Sequence, residues 1–183
     1  MIAPVTLLEP GTDNGLYPFD VSRGDMDLWM EVINVNPWCL TDDLRTLGRS
    51  EWAAYLLGPN NLVWAVKDSG HWVGIIYLTR NGMHPVAALN GYGFSMYPSR
   101  AAKGFILARD WAFTQGVQHL ISEPCIQNKA VARVLEWAGF QMIGVRIKFA
   151  LYGGKLLGVA LYDAFPDEDM TDNLTGEQIN GRG

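Results

Sequence analysis

Segments with strand-type and helix-type patterns alternate along the chain, and this order constrains the fold more than any other feature. Short apolar runs bounded by turn residues predict strands, whereas apolar residues that recur every three or four positions predict helices. The resulting order is β-α-α-β-β-β-α-β-α-β-β, which is typical of an α/β domain with a mixed sheet. The predicted strands are Val5–Glu9, Leu62–Lys67, Trp72–Thr79, Ala87–Met96, Val117–Ser122, Phe140–Tyr152 and Leu156–Phe165, and the predicted helices are Asp25–Asn34, Thr41–Leu57, Ser99–Thr114 and Asn128–Trp137.

The length and composition of the chain fit one globular domain. The 183 residues are 49% hydrophobic and 18% charged, which is too apolar for a disordered chain and within the usual size of a single domain. Cys39 and Cys125 are too few for a disulfide framework and lack metal-ligand spacing. No apolar run approaches the about 18–20 residues of a membrane span. We therefore expect a cytoplasmic protein without a metal ion or a membrane span, with its domain over residues 1–165.

The negative charge of the chain is concentrated at its C-terminus. The net charge is −5, and residues 166–183 carry five acids and one base, which leaves −1 on the other 165 residues. A nearly neutral body argues against a general nucleic-acid binder, which needs basic groups to neutralise phosphates. Segment 166–183 is predicted to be an acidic arm outside the α/β core, ordered through contacts with another chain.

Three local patterns, in this order, resemble the GCN5-related N-acetyltransferase (GNAT) superfamily. They are WAVKDSGHWVGIIYL, MYPSRAAKGFILARDWAF and NKAVARVLEWAGF. The resemblance spans roughly Val5 to Phe165, and its specific part runs from Trp64 to Phe140. It implies a GNAT-like mixed sheet that is splayed at its centre and flanked by helices.

The resemblance also implies a binding site for acetyl-CoA as co-substrate. Gly91 and Gly93 indicate a bulge or a close backbone approach in the strand Ala87–Met96. Such a strand separates from its parallel neighbour, and the pantetheine arm binds the exposed edge like an added strand. The pyrophosphate then lies where the next helix opens. The implied binding residues are Phe94, Ser95 and Met96 on the edge, Arg100, Ala102, Lys103, Gly104 and Phe105 at the phosphate loop, and Asn128 beside the pantetheine arm.

Catalysis of amine acetylation requires a base for the amine and an acid for the leaving sulfur. Glu123 follows the strand Val117–Ser122 and is the predicted base. Tyr152 is the predicted acid, with Tyr92 as another candidate, because the family's usual tyrosine position holds Leu135. The phosphate loop also departs from the family pattern Q/R-x-x-G-x-G/A. Ala101 and Ile106 occupy its first and last positions.

Two functions follow from these residues. The first is an acyl-CoA-dependent N-acyltransferase that transfers an acetyl group to a small-molecule or peptide amine. The alternative is a non-catalytic GNAT-fold component inside a bacteriophage virion, since the sequence also resembles the divergent GNAT-like internal proteins of short-tailed phages. Ala101, Ile106 and Leu135 favour that alternative. In it the acidic arm would bind other virion or assembly proteins.

Overall fold

The computed structural model describes residues 15–35, 40–93 and 98–166. Within these ranges the chain forms seven strands and five α-helices, with one 3-10 turn at Val21–Arg23. The strands are β1 Gly15–Pro18, β2 Asn61–Asp68, β3 His71–Thr79, β4 Val86–Gly93, β5 His119–Ser122, β6 Gln141–Tyr152 and β7 Lys155–Ala164, and the helices are α1 Asp25–Val35, α2 Asp42–Arg45, α3 Arg49–Leu56, α4 Pro98–Thr114 and α5 Lys129–Trp137.

The strands form one mixed sheet in the order β1-β2-β3-β4-β5-β7-β6. The pairing of β4 with β5 is parallel, and the other neighbouring pairs are antiparallel. This confirms the predicted α/β class with a mixed sheet and flanking helices. No helix of the described ranges has the length and apolarity that a membrane crossing requires.

The first third of the chain differs from the sequence prediction in two places. β1 lies between the predicted strand Val5–Glu9 and the predicted helix Asp25–Asn34, in a segment to which the sequence analysis assigns no element because its glycine and proline are typical of turns. It is a short edge strand beside β2, a position that tolerates proline. The predicted helix Thr41–Leu57 is divided into α2 and α3 at Gly48, whose backbone N–H donates to Glu51 Oε2 at 2.6 Å. The strand predicted at Val5–Glu9 and nearly all of the acidic arm lie outside the described residues.

Helices cover both faces of the sheet. Alternate residues of a strand point to opposite faces, so Trp64 and Val66 pack towards α4 whereas Val63 and Ala65 pack towards α1 and α3. Gly104 lets α4 approach the sheet closely. A Cβ at that position would lie 2.8 Å from Cγ1 of Val66, closer than carbon atoms pack.

The sheet opens between β4 and β5. Their pairing covers only Val86–Ala88 against His119–Ile121, and β4 then continues to Gly93 beside β3 alone. Past Ser122 the chain leaves β4 and runs beside β7, where the N–H of Ala160 donates to the carbonyl of Pro124 at 2.9 Å. The central splay of the fold is therefore present, and it follows from the short β5.

Of the two roles predicted for the glycines of β4, a bulge or a close backbone approach, the described residues show the second. The register of β4 with β3 runs without a shift from Ala88 to Gly93, so the described part of β4 contains no bulge. A Cβ at Gly91 would lie 2.7 Å from the ring of Phe105 on α4. These glycines permit close approach of the helix and of the neighbouring strand.

Candidate active site

A cleft of about 300 Å³ occupies the opening between β4 and β5. It passes through the sheet, because its walls include residues that pack towards α4 and residues that pack towards α3. β4 contributes Asn90–Gly93 to its wall. Further lining residues come from the α2–α3 region, α4, the segment after β5, α5 and the end of β6: Thr41, Leu44, Tyr55, Pro98, Ala101, Phe105, Ser122, Glu123, Pro124, Cys125, Asn128, Ala130, Val131, Val134 and Tyr152.

Glu123 contributes the carboxylate of this cleft. It lies directly after β5, at the point where β5 has separated from its neighbour β4. Its side chain is about one-third exposed. Oε1 lies 3.0 Å from Nη1 of Arg146, which reaches over from β6. The Arg146 guanidinium also lies 5.1 Å from the ring centre of Phe149. The carboxylate therefore has one oxygen in an ion pair and faces the cleft.

Tyr152 lies in the same cleft at the end of β6 and is buried. The turn after it is held by α2. The backbone N–H groups of Gly153 and Gly154 donate to the two carboxylate oxygens of Asp42, at 2.5 and 2.7 Å. These bonds, that from Gly154 foremost, lower the pKa of Asp42. The structure thus brings Glu123 and Tyr152 into one cleft, across more than twenty residues of sequence.

Asn128 is buried at the start of α5 and lines the cleft. Its Oδ1 accepts a hydrogen bond from the N–H of Val131 at 3.2 Å, which is the usual geometry of an N-cap. The Oδ1 atom therefore caps α5, and the Asn128 side chain also forms part of the cleft wall.

The predicted phosphate loop is a helix in the structure. α4 begins at Pro98, which confirms the predicted helix Ser99–Thr114 to within one residue. Ala102, Gly104 and Phe105 are buried on α4, and of these Phe105 reaches the cleft. The residues assigned to a phosphate loop therefore lie in a helix, and their part in cofactor binding stays a prediction. Phe94, Ser95 and Met96 lie outside the described residues.

Arg100 and Lys103 converge on the β2–β3 hairpin. Nε of Arg100 lies 3.1 Å from Oδ2 of Asp68, and Nζ of Lys103 lies 3.2 Å from Oδ1. Asp68 is buried, whereas the Lys103 side chain is 67% exposed. Two cations share one carboxylate here, which leaves one net positive charge beside the opening turn of α4.

The other wall of the cleft contains three tyrosines that sequence reasoning did not bring together. We call Tyr55, Tyr77 and Tyr92 the tyrosine cluster. Tyr77 and Tyr92 are stacked with ring centres 6.3 Å apart, and the Tyr55 ring stands edge-on to Tyr77 at 6.2 Å. Burial raises the pKa of Tyr77 well above its ordinary value, and the neighbouring Tyr92 and Tyr55 raise it further. Tyr77 is therefore a neutral phenol at physiological pH.

Two of the residues that depart from the family pattern, Leu135 and Ile106, pack in the core. Leu135 is fully buried among core residues of α5, and Ile106 packs against the same core. Val134, the residue before Leu135, reaches the cleft. Neither Val134 nor Leu135 carries a titratable group, so these two residues offer the cleft no proton donor.

No protein-family model and no curated protein sequence matches this chain. Solved structures do match. RimL, a ribosomal L7/L12 α-N-protein acetyltransferase in complex with coenzyme A, is 11% identical, with a TM-score of 0.68 over 82% of this chain and 92% of that one. Spermidine N-acetyltransferase from Vibrio cholerae, with CoA and spermine, is 15% identical, with a TM-score of 0.69 over 84% and 95%. RimJ from Mycobacterium smegmatis, with CoA-disulfide, is 14% identical, with a TM-score of 0.69 over 84% and 82%.

These similarities concern the fold. A probable acetyltransferase of Chromobacterium violaceum described as GNAT family is also similar, with a TM-score of 0.66 at 15% identity. The chain therefore has the fold of the GNAT-family acetyltransferases, as its sequence predicts.

Proposed function

We propose that this protein is an acyl-CoA-dependent N-acyltransferase that transfers an acetyl group from acetyl-CoA to an amine. The observation that carries the proposal is the cleft through the splayed sheet, with the β4 edge on one side and Glu123 on the other. Three similar structures of acetyltransferases contain CoA or its disulfide, which supports the choice of acyl donor.

The cofactor half of the cleft is assigned to the side of α4 and α5. The pantetheine arm would lie along β4 beyond Ala88, where pairing with β5 has ended, and beside Asn128. The phosphates would lie at the opening of α4, where the helix dipole favours an anion. Arg100 and Lys103 add the positive charge that remains after their pairing with Asp68.

The acyl-CoA supplies the acyl group as a thioester, and the protein supplies the proton transfers. Glu123 accepts the proton of the acceptor amine, directly or through a water molecule, while the amine nitrogen forms its bond to the acyl carbon. Tyr152 donates a proton to the sulfur as the carbon–sulfur bond breaks. The products are the amide and CoA with a free thiol. The proton on Glu123 then passes to solvent, and the Tyr152 phenolate takes a proton from solvent, which restores both side chains.

A free-thiol assay with Glu123→Gln tests the chemistry. We expect the rate of CoA release to fall by about 10²- to 10⁴-fold, the usual contribution of a general base, while acetyl-CoA still binds. Glu31→Gln is the matched control on the exposed surface of α1, and it should retain the wild-type rate. If Glu123→Gln acetylates amines at the wild-type rate, the base is another group.

The alternative, a non-catalytic GNAT-fold component of a bacteriophage virion, rests on two positions that the resemblance assigns to the site. Leu135, which has no proton to transfer, is buried at the place of the family's usual tyrosine, and Ile106 at the end of the phosphate-loop pattern packs against the core. A protein of that class would still have the cleft but would not release CoA in the assay above. We propose that the protein is located in the cytoplasm if it is the enzyme. The alternative would place it in the virion.

A further inference from the structure

The acceptor half of the cleft is the half that opens towards α2 and α3. Its wall consists of Leu44, Thr41 and the tyrosine cluster. Tyr77 is 4% exposed and Tyr55 is 39% exposed, so the cluster runs from the interior to the mouth of the cleft. Aromatic rings bind other rings edge-to-face or offset, and they bind apolar surface of any shape. This wall therefore suits an apolar group about as large as one aromatic ring.

The charge of the cleft limits the acceptor further. Glu123 is the one charged residue among the described residues of its lining, and Oε1 of this carboxylate already pairs with Arg146. A polyamine would bring several positive charges into the cleft. Removing each charge from water without a partner is costly. Within the described ranges Arg146 is the one ion-pair partner of Glu123, and the 32% exposed carboxylate can still be reached by one ammonium group.

Resting on the proposed function, we infer that the acceptor is a primary amine with a single positive charge on an apolar body of about one aromatic ring. Its nitrogen would lie at Glu123 and its body against the tyrosine cluster, with Tyr55 selecting for the body at the mouth of the cleft. This differs from the spermidine acetyltransferase of Vibrio cholerae, whose structure contains spermine.

The neutrality of the tyrosine wall agrees with this assignment. The pKa of Tyr77 is raised by burial and by the neighbouring tyrosines, so this phenol contributes no negative charge that would attract a second ammonium. Arg146 pairs with Glu123 and brings a positive charge there, which repels further cations. The site thus combines one carboxylate with an uncharged aromatic wall and a nearby repulsive charge.

Calorimetric titrations of the full chain, saturated with CoA, test the inference. The probes are 2-phenylethylamine, spermidine and ethylamine. We expect 2-phenylethylamine to bind at least tenfold more tightly than either of the others. Tyr55→Ala should weaken its binding by about three- to tenfold, in line with the strength of one aromatic contact, and should leave ethylamine unchanged. Tyr55→Phe keeps the ring and should bind like the wild type.

Each other outcome overturns the inference. Spermidine binding as tightly as 2-phenylethylamine would show a site built for several charges. Equal affinity in Tyr55→Ala and the wild type would remove the tyrosine cluster from acceptor binding, and failure of all three amines to bind would exclude this acceptor class. Failure of the initial CoA titration would instead contradict the proposed function, so the two failures are distinguishable.

Discussion

The two faces of the sheet are packed in different ways. On the face of α4 and α5 the buried core includes seven alanines, and these small residues let the helices lie close to the strands. On the face of α1 and α3 the core is rich in aromatic rings that contact one another. The ring centre of Trp29 lies 4.8 Å from that of Trp52 and 5.2 Å from that of Tyr92. On the first face the backbone of α4 lies close to the side chains of the sheet. The second presents aromatic rings to the cleft, and this difference underlies our proposal of a cofactor half and an acceptor half.

The largest effect on stability is expected on the aromatic face. Trp29→Ala removes a fully buried ring that contacts both Trp52 and Tyr92. We expect a loss of about 3–5 kcal/mol in the free energy of unfolding, measured by urea denaturation. Trp137→Ala is the control, because that ring is 55% exposed on α5, and its change should stay within about 0.5 kcal/mol. Similar losses in both variants would contradict the claim that the ring contacts of Trp29 stabilise the fold.

The close approach of α4 to the sheet is the matching feature of the other face. Gly104→Val places a side chain 2.8 Å from Cγ1 of Val66 and 3.1 Å from Cδ1 of Ile76. Such overpacking typically costs about 1–3 kcal/mol, which a urea titration resolves. Leu107→Val, at a 43% exposed position of the same helix, introduces the same side chain at the surface and gives the reference. An equally stable Gly104→Val protein would mean that α4 moves away from the sheet at little cost.

A smaller effect is expected where α2 joins the hairpin that carries Tyr152. The hydrogen bonds from Gly154 and Gly153 lower the pKa of Asp42 below 3.8 in the folded protein. The carboxylate contribution is therefore complete above the unfolded pKa of 3.8, and it is lost as the pH falls through the lower folded value. We expect Asp42→Asn to be slightly less stable than the wild type at pH 6, with the difference disappearing towards pH 2. A difference that grows in acid would contradict this contact.

The sequence predicted the α4–α5 face better than the aromatic face. Ser99–Thr114 has a clear helical period, and Asn128 is a recognisable N-cap, so both helices lie within one residue of their predicted bounds. In the first third of the chain the local signals were weaker. Gly15 and Pro18 indicate a turn, yet pairing with β2 makes them part of an edge strand.

The cleft shows the same difference between residues that local sequence patterns reveal and residues that only the folded chain brings together. Glu123 could be selected from its place after a predicted strand, and Tyr152 as a substitute for the tyrosine that Leu135 replaces. The structure places both in one cleft. Tyr55 and Tyr77 have no common pattern, since only the packing of α3 on β3 brings their rings together. The pairing of Arg100 with Asp68 also joins distant segments, through a long-range contact that no local motif indicates.

Binding of acetyl-CoA tests the central claim most directly. In a thermal-shift titration we expect a ligand concentration one hundred times Kd to stabilise the protein by about 2.7 kcal/mol, or roughly 5–10 °C in Tm. Ala130→Trp fills the cleft from an exposed position of α5 and should abolish the shift. Arg133→Trp, an exposed position outside the cleft lining on the same helix, should retain it. No shift in the wild type, or an equal shift in Ala130→Trp, would contradict the assignment of this cleft to acyl-CoA.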